Sequence, residues 1–342
     1  MKLPILMLIL SACSGPIQAE SPKEALAYMT EISAPSARIS ADMWEYIKSA
    51  AHSKNPAQTE ARRGQLIFSV EQSILQVNQV KAYKDEQRFR GAILKFLNTM
   101  YSILKQDYAK IVDMEEVAEQ SYDMMEAYLL ARKKANEKLK QAADDLREEE
   151  KRFAADNKIT LIEHESEIGR NLKKAGEVMD YHNQIYLIFF RSYKQEWYMV
   201  EAAQKKDVNK IEQNRLTLAK YAEEGLSALS AIQPYNGDTS LRDSCRTALL
   251  FYKKEALSQT PVLTEFLMKN EQFAEMKKAF ELKPAQERTQ ADVDAFNNRV
   301  REINTLAQNQ NAVNQAANQE RSAAIDSWNR ASESFFGRHV PK

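Results

Sequence analysis

The chain has 342 residues, and 48 Lys and Arg residues balance 48 Asp and Glu residues, so its formal net charge is zero. This balance gives no bulk attraction to nucleic acid, which is therefore not an expected partner. Hydrophobic residues make up 44% of the chain, which is enough to fill a core and argues against global disorder. With only 8 Gly and 9 Pro residues, long helices are favoured over an all-β or loop-rich fold. The composition predicts an all-α protein, and the length allows two domains.

The first residues have the pattern of a secretion signal. Lys2 supplies a minimal positive charge, and Leu3–Leu10 is apolar but too short to span a bilayer. The sequence Leu10-Ser11-Ala12-Cys13 resembles the lipobox of bacterial lipoproteins. The resemblance implies that residues 1–12 are a signal peptide cleaved before Cys13, and that the Cys13 thiol receives a diacylglycerol group. Residues 13–22 would then be a tether between the lipid anchor and the helical part.

The residues after the lipobox indicate the membrane to which the protein would be anchored. Ser14 follows Cys13 where an Asp would suggest retention in the inner membrane. By resemblance to Gram-negative lipoproteins, this favours the outer membrane, at its periplasmic face or at the cell surface. The alternative is ordinary secretion with cleavage after Ala19, but Ile17 fits poorly where that cleavage site needs a small residue.

The stretch Trp44–Tyr101 recurs further along the chain. Shifted by 152 residues, it aligns with Glu196–Lys253 without a gap, and 11 of the 58 pairs are identical. Identities are few, but apolar positions keep their register, which favours two copies of one helical unit. The sequence predicts two long-helix, four-helix-like bundles in an elongated molecule, over residues 23–160 and 170–342, joined near Asn157–Gly169. The identical pairs include Glu60 with Glu212, Arg63 with Arg215, Tyr83 with Tyr235, and Arg90 with Arg242.

Apolar residues at helical spacing predict the helices in chain order. In the first copy, helices are expected over Lys23–Ile32, Ser40–Ser53, Ala57–Tyr83, Phe89–Val112 and Met114–Asn157. A brief extended segment could lie at Ile159–Ile162. The second copy starts near Leu172, and its expected helices include Val208–Ile232, Leu241–Lys269 with a kink at Thr260-Pro261, and Ala285–Phe336, the longest of all.

The residue types that carry chemistry form no recognisable catalytic or metal-binding set. The four histidines (His52, His164, His182 and His339) lack the Glu-x-x-His pairs that a di-iron helix bundle needs, and His164 is interpreted as a surface residue. The acidic run Asp144–Glu150 is interpreted as a solvated helix face with ion pairs. Cys245 takes the place of Ile93 and is interpreted as a buried small residue. Trp44, Trp197 and Trp328 are expected in the core. Neither an enzyme nor a cofactor or metal is expected.

Two turns, Tyr83–Arg90 and Tyr235–Arg242, are flanked by the same Tyr and Arg. In the structural interpretation, the Tyr packs under the turn and the Arg closes the first turn of the next helix through backbone carbonyls or a carboxylate. In the functional interpretation, each turn is a ligand site with the Tyr as a stacking surface and the Arg as an anion fork. The structural interpretation is favoured, because the turn Tyr83–Arg90 itself contains no glycine that would free backbone N–H groups for an anion.

The stretch Tyr108–Ala131, followed by Lys134–Leu139, resembles an uncharacterised family of helical surface lipoproteins of Gram-negative bacteria. The resemblance implies an envelope location and a helical fold, and it brings no catalytic residues. The expected function is a non-enzymatic binding or structural module, anchored to the membrane by lipid, with an envelope or extracellular protein as partner. The alternative is a toxin-like helical protein that inserts into membranes, suggested by the apolar run Ile185–Phe190. Arg191 and Lys194 follow that run, which favours a buried core helix.

Overall fold

The computed structural model describes residues 18–19, 23–53, 55–107, 117–162 and 165–342. These residues are overwhelmingly helical, which confirms the predicted all-α class. Strand β1 (Gln18–Ala19) pairs antiparallel with β2 (Ile159–Thr160), so the short extended segment predicted after the first copy is present. The predicted tether differs in one respect, because two of its residues form β1.

The helices follow in chain order. The first part of the chain forms α1 (Lys23–Ser33), α2 (Pro35–His52), α3 (Pro56–Gln79), α4 (Arg88–Ser102) and α5 (Tyr122–Asp156). A π-helical turn, π1 (Ile103–Asp107), continues α4. The second part forms α6 (Glu167–Gln204), α7 (Val208–Ala231), α8 (Ser240–Lys254), π2 (Glu255–Gln259), α9 (Thr260–Leu282), a 3-10 turn (Ala285–Glu287) and α10 (Gln290–His339). Residues 108–112 of the predicted helix Phe89–Val112 and residues 114–116 of the predicted helix Met114–Asn157 lie outside the described residues.

Capping side chains explain why two long helices begin later than predicted. Helix α5 begins at Tyr122 because Ser121 has extended backbone and its hydroxyl accepts a hydrogen bond from the Met124 N–H at 3.2 Å. Helix α10 begins at Gln290 because Thr289 and Asp292 cap each other. The Thr289 N–H donates to the Asp292 carboxylate at 2.8 Å, and the Asp292 N–H donates to the Thr289 hydroxyl at 3.2 Å.

Three consecutive elements recur at a spacing of 152 residues. Shifted by that number, α3, α4 and π1 coincide at both ends with α7, α8 and π2. The preceding caps also correspond, since Asn55 caps α3 and Asp207 caps α7. The turns between the helices share a left-handed residue, Lys84 with φ 51° and Asn236 with φ 49°. Local backbone geometry is therefore shared by the two copies in detail.

The identical Glu and Arg pairs of the repeat hold the π-helical turns. Arg63 in α3 binds Glu60 one turn earlier and donates from Nη1 to the Leu104 carbonyl of π1 at 2.7 Å. In the second copy, Arg215 binds Glu212 and donates to the Ala256 carbonyl of π2 at 3.3 Å. A π-helical turn shifts the backbone hydrogen bonds by one residue, so a side chain that donates to one of its carbonyls helps to stabilise it.

Contacts divide the chain into two compact units. Unit 1 holds the described residues within Met1–Asn183 and Glu333–Lys342, and unit 2 holds Gln184–Ser332. The division falls inside α6 and α10, whereas the sequence predicts a junction between residues 160 and 170. Whether each predicted copy folds by itself stays a prediction.

Each unit has an aromatic core. In unit 1, Phe153 of α5 stacks on Phe89 of α4 with ring centroids 5.3 Å apart. In unit 2, Trp328 of α10 stacks on Phe189 of α6 at 4.5 Å. Phe153 and Trp328 are therefore both buried. Trp197 is 49% exposed, so the prediction that it lies in the core is wrong.

Candidate functional site

The residues that the sequence singled out for chemistry do not come together. Cys13, the predicted lipidation site, and His164 lie outside the described residues. Cys245 is fully buried as a free thiol, which confirms the buried interpretation, and burial raises its pKa. The acidic run forms ion pairs, as expected: Asp145 binds Lys95 at 2.7 Å, and Glu149 binds Arg152 at 3.0 Å.

The first repeated turn has a structural role. The Tyr83 ring stacks on Tyr28 at 5.7 Å, and the Lys84 ammonium lies 4.9 Å from the same ring. Arg90 donates from Nη2 to the Asn78 carbonyl at 2.5 Å, so it ties the start of α4 to the end of α3. These contacts support the structural interpretation, but the carbonyl that Arg90 binds belongs to the preceding helix, α3, rather than to the first turn of α4.

A hollow of about 270 Å³ lies beside this turn in unit 1, lined by Tyr83–Phe89 and the end of α5. Its four acidic lining residues (Asp85, Glu86, Glu149 and Asp156) offset its three basic ones (Lys84, Arg88 and Arg152). Glu149 binds both Arg88 and Arg152, at 3.1 and 3.0 Å. The hollow therefore presents paired surface charges rather than an anion site.

The second repeated turn, Tyr235–Arg242, differs from the first in the hydrogen bonding of its arginine. The Arg242 Nε is buried without a hydrogen-bond partner among the described residues. We expect Arg90→Ala to lower the free energy of unfolding by about 1–2 kcal/mol, because a charge-assisted hydrogen bond is lost. Arg242→Ala should change it by less than about 0.5 kcal/mol. Denaturant unfolding of the two variants checks this, and a larger loss for Arg242→Ala would contradict it.

A buried charged cluster in unit 2 is the strongest candidate site. Arg321 on α10 donates from Nε to the Glu196 carboxylate of α6 and from Nη2 to Oε1 of Glu255, the first residue of π2. Both carboxylate side chains are almost completely buried, at 6% and 5% exposed. Two carboxylates thus share one guanidinium in a place where water cannot screen them.

The first copy fills the equivalent positions with apolar side chains. Shifted by 152 residues, Glu196, Tyr252 and Glu255 correspond to Trp44, Met100 and Ile103, which are all buried. The local fold is therefore compatible with an apolar core here. A buried ion-pair cluster is generally no more stable than the hydrophobic residues that could replace it. Stability alone therefore does not account for the charges in the second copy.

Hydrogen-bond acceptors remain unused at the cluster. Glu255 Oε2 and Gln259 Oε1 are buried without a hydrogen-bond partner in the described structure, and the two side chains are 3% and 9% exposed. The Tyr252 hydroxyl is also buried without a partner. The other oxygen of Glu255 accepts from Arg321, and Thr260 donates its hydroxyl hydrogen to the Glu255 carbonyl at 2.9 Å.

Glu255 and Gln259 line a cavity of about 70 Å³ in unit 2. Its apolar side is formed by residues from α6, α9 and α10: Met199, Val200, Val262, Leu263, Val313 and Ala317. Its polar lining residues are Glu255, Gln259, Thr260, Gln310, Arg321 and the exposed Asn314. Since one water occupies about 30 Å³ in the liquid, the cavity has room for about two waters or a ligand of a few heavy atoms.

Burial and like charge alter the acidity of the cluster. The pKa of Glu255 is raised to about 7, first by desolvation and then by the charge of Glu196, against the opposing effect of Arg321. Desolvation also raises the pKa of Glu196 and holds the pKa of the Tyr252 hydroxyl well above its ordinary value. Glu255 can therefore gain or lose a proton near neutral pH.

The sequence carried a signal for part of this site. Aligned core positions that change from apolar to charged, such as Trp44 to Glu196, could have been found by comparing the two copies. The signal does not extend to Glu255, which lies two residues beyond the aligned stretch, or to Arg321, which reaches the cluster only through tertiary packing. Over the described parts of the chain, no group of three or more His, Cys, Asp or Glu side chains could hold a metal ion.

Comparison of the chain with models of known families, with curated proteins and with solved structures found no match.

Proposed function

We propose that the protein is a lipid-anchored, non-enzymatic binding module of the cell envelope, and that unit 2 carries its ligand site. The observation that carries the binding role is the small cavity with buried, unused acceptors on Glu255 and Gln259. Buried polar groups without partners are rare in folded proteins and mark places where another group can be bound. A π-helical turn, which is frequent at functional sites, supplies both acceptors.

The envelope location depends on the sequence. The lipobox-like Leu10-Ser11-Ala12-Cys13 supports lipidation of Cys13 and attachment to the outer membrane. Within the ranges that the structure describes, no helix combines the length and hydropathy needed to cross a membrane. An envelope or extracellular protein partner stays a prediction.

The run that suggested a membrane-inserting toxin is part of the core of unit 2. Ile185, Tyr186, Phe189 and Phe190 are all buried, and Tyr186 and Phe189 contact Trp328. Insertion would require these side chains to leave that core, at a cost of about 1.5–3 kcal/mol for each side chain exposed on the way. This packing favours the binding module over the toxin-like alternative.

We attribute the recurring elements to duplication of a helical unit followed by divergence of its core. The Glu60–Arg63 and Glu212–Arg215 pairs hold the same backbone turn in each copy, so they are scaffold. Divergence at Glu196, Tyr252 and Glu255 converts an apolar core into a polar site. In this proposal one copy keeps a structural role while the other binds a ligand.

A cavity-filling variant tests the binding role. Ala317 is buried and lines the cavity, so Ala317→Leu should occupy it with little harm to the fold. In a thermal-shift screen of small anionic, neutral and cationic solutes, at least one class should raise the melting temperature of the wild type. The same solute should not raise that of Ala317→Leu.

The control is Ala312→Leu, which places the same side chain at an exposed position of α10. It should respond to the solute as the wild type does. The proposal is wrong if no solute class stabilises the wild type, or if Ala317→Leu responds as strongly as the wild type.

A further inference from the structure

The cluster in unit 2 has more negative than positive charge at its centre. Glu196 and Glu255 each bind the single guanidinium of Arg321, which leaves one negative charge without a partner when both are ionised. The remaining acceptors, Glu255 Oε2 and Gln259 Oε1, call for hydrogen-bond donors and exclude an anion. When both carboxylates are ionised, a bound group that satisfies this site is positively charged and donates at least two hydrogen bonds.

We propose that the cavity of unit 2 binds a primary ammonium group carried on a short apolar stem, an inference that rests on the binding role proposed above. An ammonium group has three donors and a single positive charge. Two donors match Glu255 Oε2 and Gln259 Oε1, and the third is left for an amide of the lining or water. The charge balances the cluster, so the desolvated carboxylates no longer carry a net negative charge.

The apolar side of the cavity suits the stem. Met199, Val262 and Ala317 are among the aliphatic residues that face the polar end across about 70 Å³. This space fits a chain of a few carbon atoms. Because the lining residue Asn314 is exposed, a longer ligand could continue into solvent. A cavity with a polar end and an aliphatic wall favours an alkylammonium ion over an alkali metal ion, because the metal ion gains no hydrophobic contact with the wall.

Binding should compete with a proton on Glu255. In the free protein, a proton on Oε2 neutralises the cluster, and the pKa of Glu255 near 7 means that this proton is present below neutral pH. The ammonium group needs the ionised carboxylate. Its apparent affinity should therefore fall about tenfold for each pH unit below 7 and level off above it. The charged and titratable groups around Glu255 are Glu196 on α6, Glu212 and Arg215 on α7, Tyr252 and Lys254 on α8, and Glu320 and Arg321 on α10.

The experiment uses propylammonium chloride as the probe, titrated into the protein by calorimetry at pH 8 and pH 6. Binding should be in about the millimolar range, as expected for four non-hydrogen atoms, and about tenfold weaker at pH 6. Glu255→Gln should abolish it at both pH values. This variant keeps an oxygen for Arg321 and removes the charge, so it should fold. Glu223→Gln, which neutralises an exposed carboxylate paired with Lys253, should bind as the wild type does.

Two further solutes distinguish failure of the ammonium assignment from failure of the binding role. Propanol has the same stem without the charge, and potassium chloride has the charge without the stem. Equal binding of propanol, equal binding of potassium, or unchanged binding in Glu255→Gln would each overturn the ammonium assignment while leaving a binding cavity in place. A wild type that binds none of these solutes but is stabilised by another class in the thermal-shift screen would overturn it as well. Failure of every solute class would overturn the binding role itself.

Discussion

Arg321→Met should lower the free energy of unfolding by about 3–5 kcal/mol at pH 8, because it leaves Glu196 and Glu255 buried without their shared cation. Methionine keeps much of the length of the arginine stem, so the loss reports charge more than packing. Denaturant unfolding followed by circular dichroism measures it.

The loss of unfolding free energy in Arg321→Met should be smaller at low pH. The folded-state pKa of Glu255 is raised above the ordinary value of 4.5 to about 7, so the folded protein binds a proton that the unfolded chain has released. The stabilisation from this group is fully present below about pH 4.5 and is lost as the pH rises through about 7. Removing Arg321 removes the opposing cation and should raise the pKa of Glu255 further. The variant should therefore depend more steeply on pH than the wild type.

Arg299→Met is the matched control, since Arg299 lies on the same helix and binds the half-exposed Glu302 at 2.6 Å. Breaking this surface pair should cost less than about 1 kcal/mol. Replacing the whole cluster, with Glu196→Leu and Glu255→Ile added to Arg321→Met, should recover most of the lost stability. An equal cost for Arg321→Met and Arg299→Met would show that the cluster carries no uncompensated charge.

Cys13→Ala should move the protein from the membrane fraction to the soluble fraction of a Gram-negative host. One acyl chain attaches a protein only marginally, but the two or three chains of a mature lipoprotein give stable attachment. Loss of the acceptor thiol should therefore change the distribution almost completely. Fractionation together with incorporation of labelled palmitate measures the effect.

Cys245→Ala controls for the loss of a cysteine as such. Cys245 is the buried thiol of unit 2, and its replacement should leave both membrane attachment and labelling unchanged. The lipoprotein assignment fails if the wild type takes up no labelled fatty acid, or if Cys13→Ala stays in the membrane fraction.

Much of the helical architecture could be predicted because it depends on local patterns. The apolar spacing of the region predicted as Ala57–Tyr83 reflects one buried helix face, and α3 occupies most of it. The ends of the helices are harder to predict from sequence, because a single capping residue such as Ser121 starts a helix wherever its side chain reaches a free N–H group. Helical spacing cannot distinguish an α-helix from a π-helical turn of five residues, so π1 and π2 were not predicted.

The sequence by itself determined that this protein is all-α. It also shows that the pattern of Trp44–Tyr101 recurs in register at Glu196–Lys253, and that a lipobox-like motif precedes both stretches. These properties follow from composition, periodicity and short motifs, which are written locally along the chain. Only the tertiary structure decided that Glu196, Glu255 and Arg321 meet. Arg321 is 66 residues from Glu255 and 125 from Glu196, and no local pattern relates them. Their shared burial, which raises the pKa of Glu255 and leaves its second oxygen without a hydrogen-bond partner, exists only once α6, π2 and α10 have packed together.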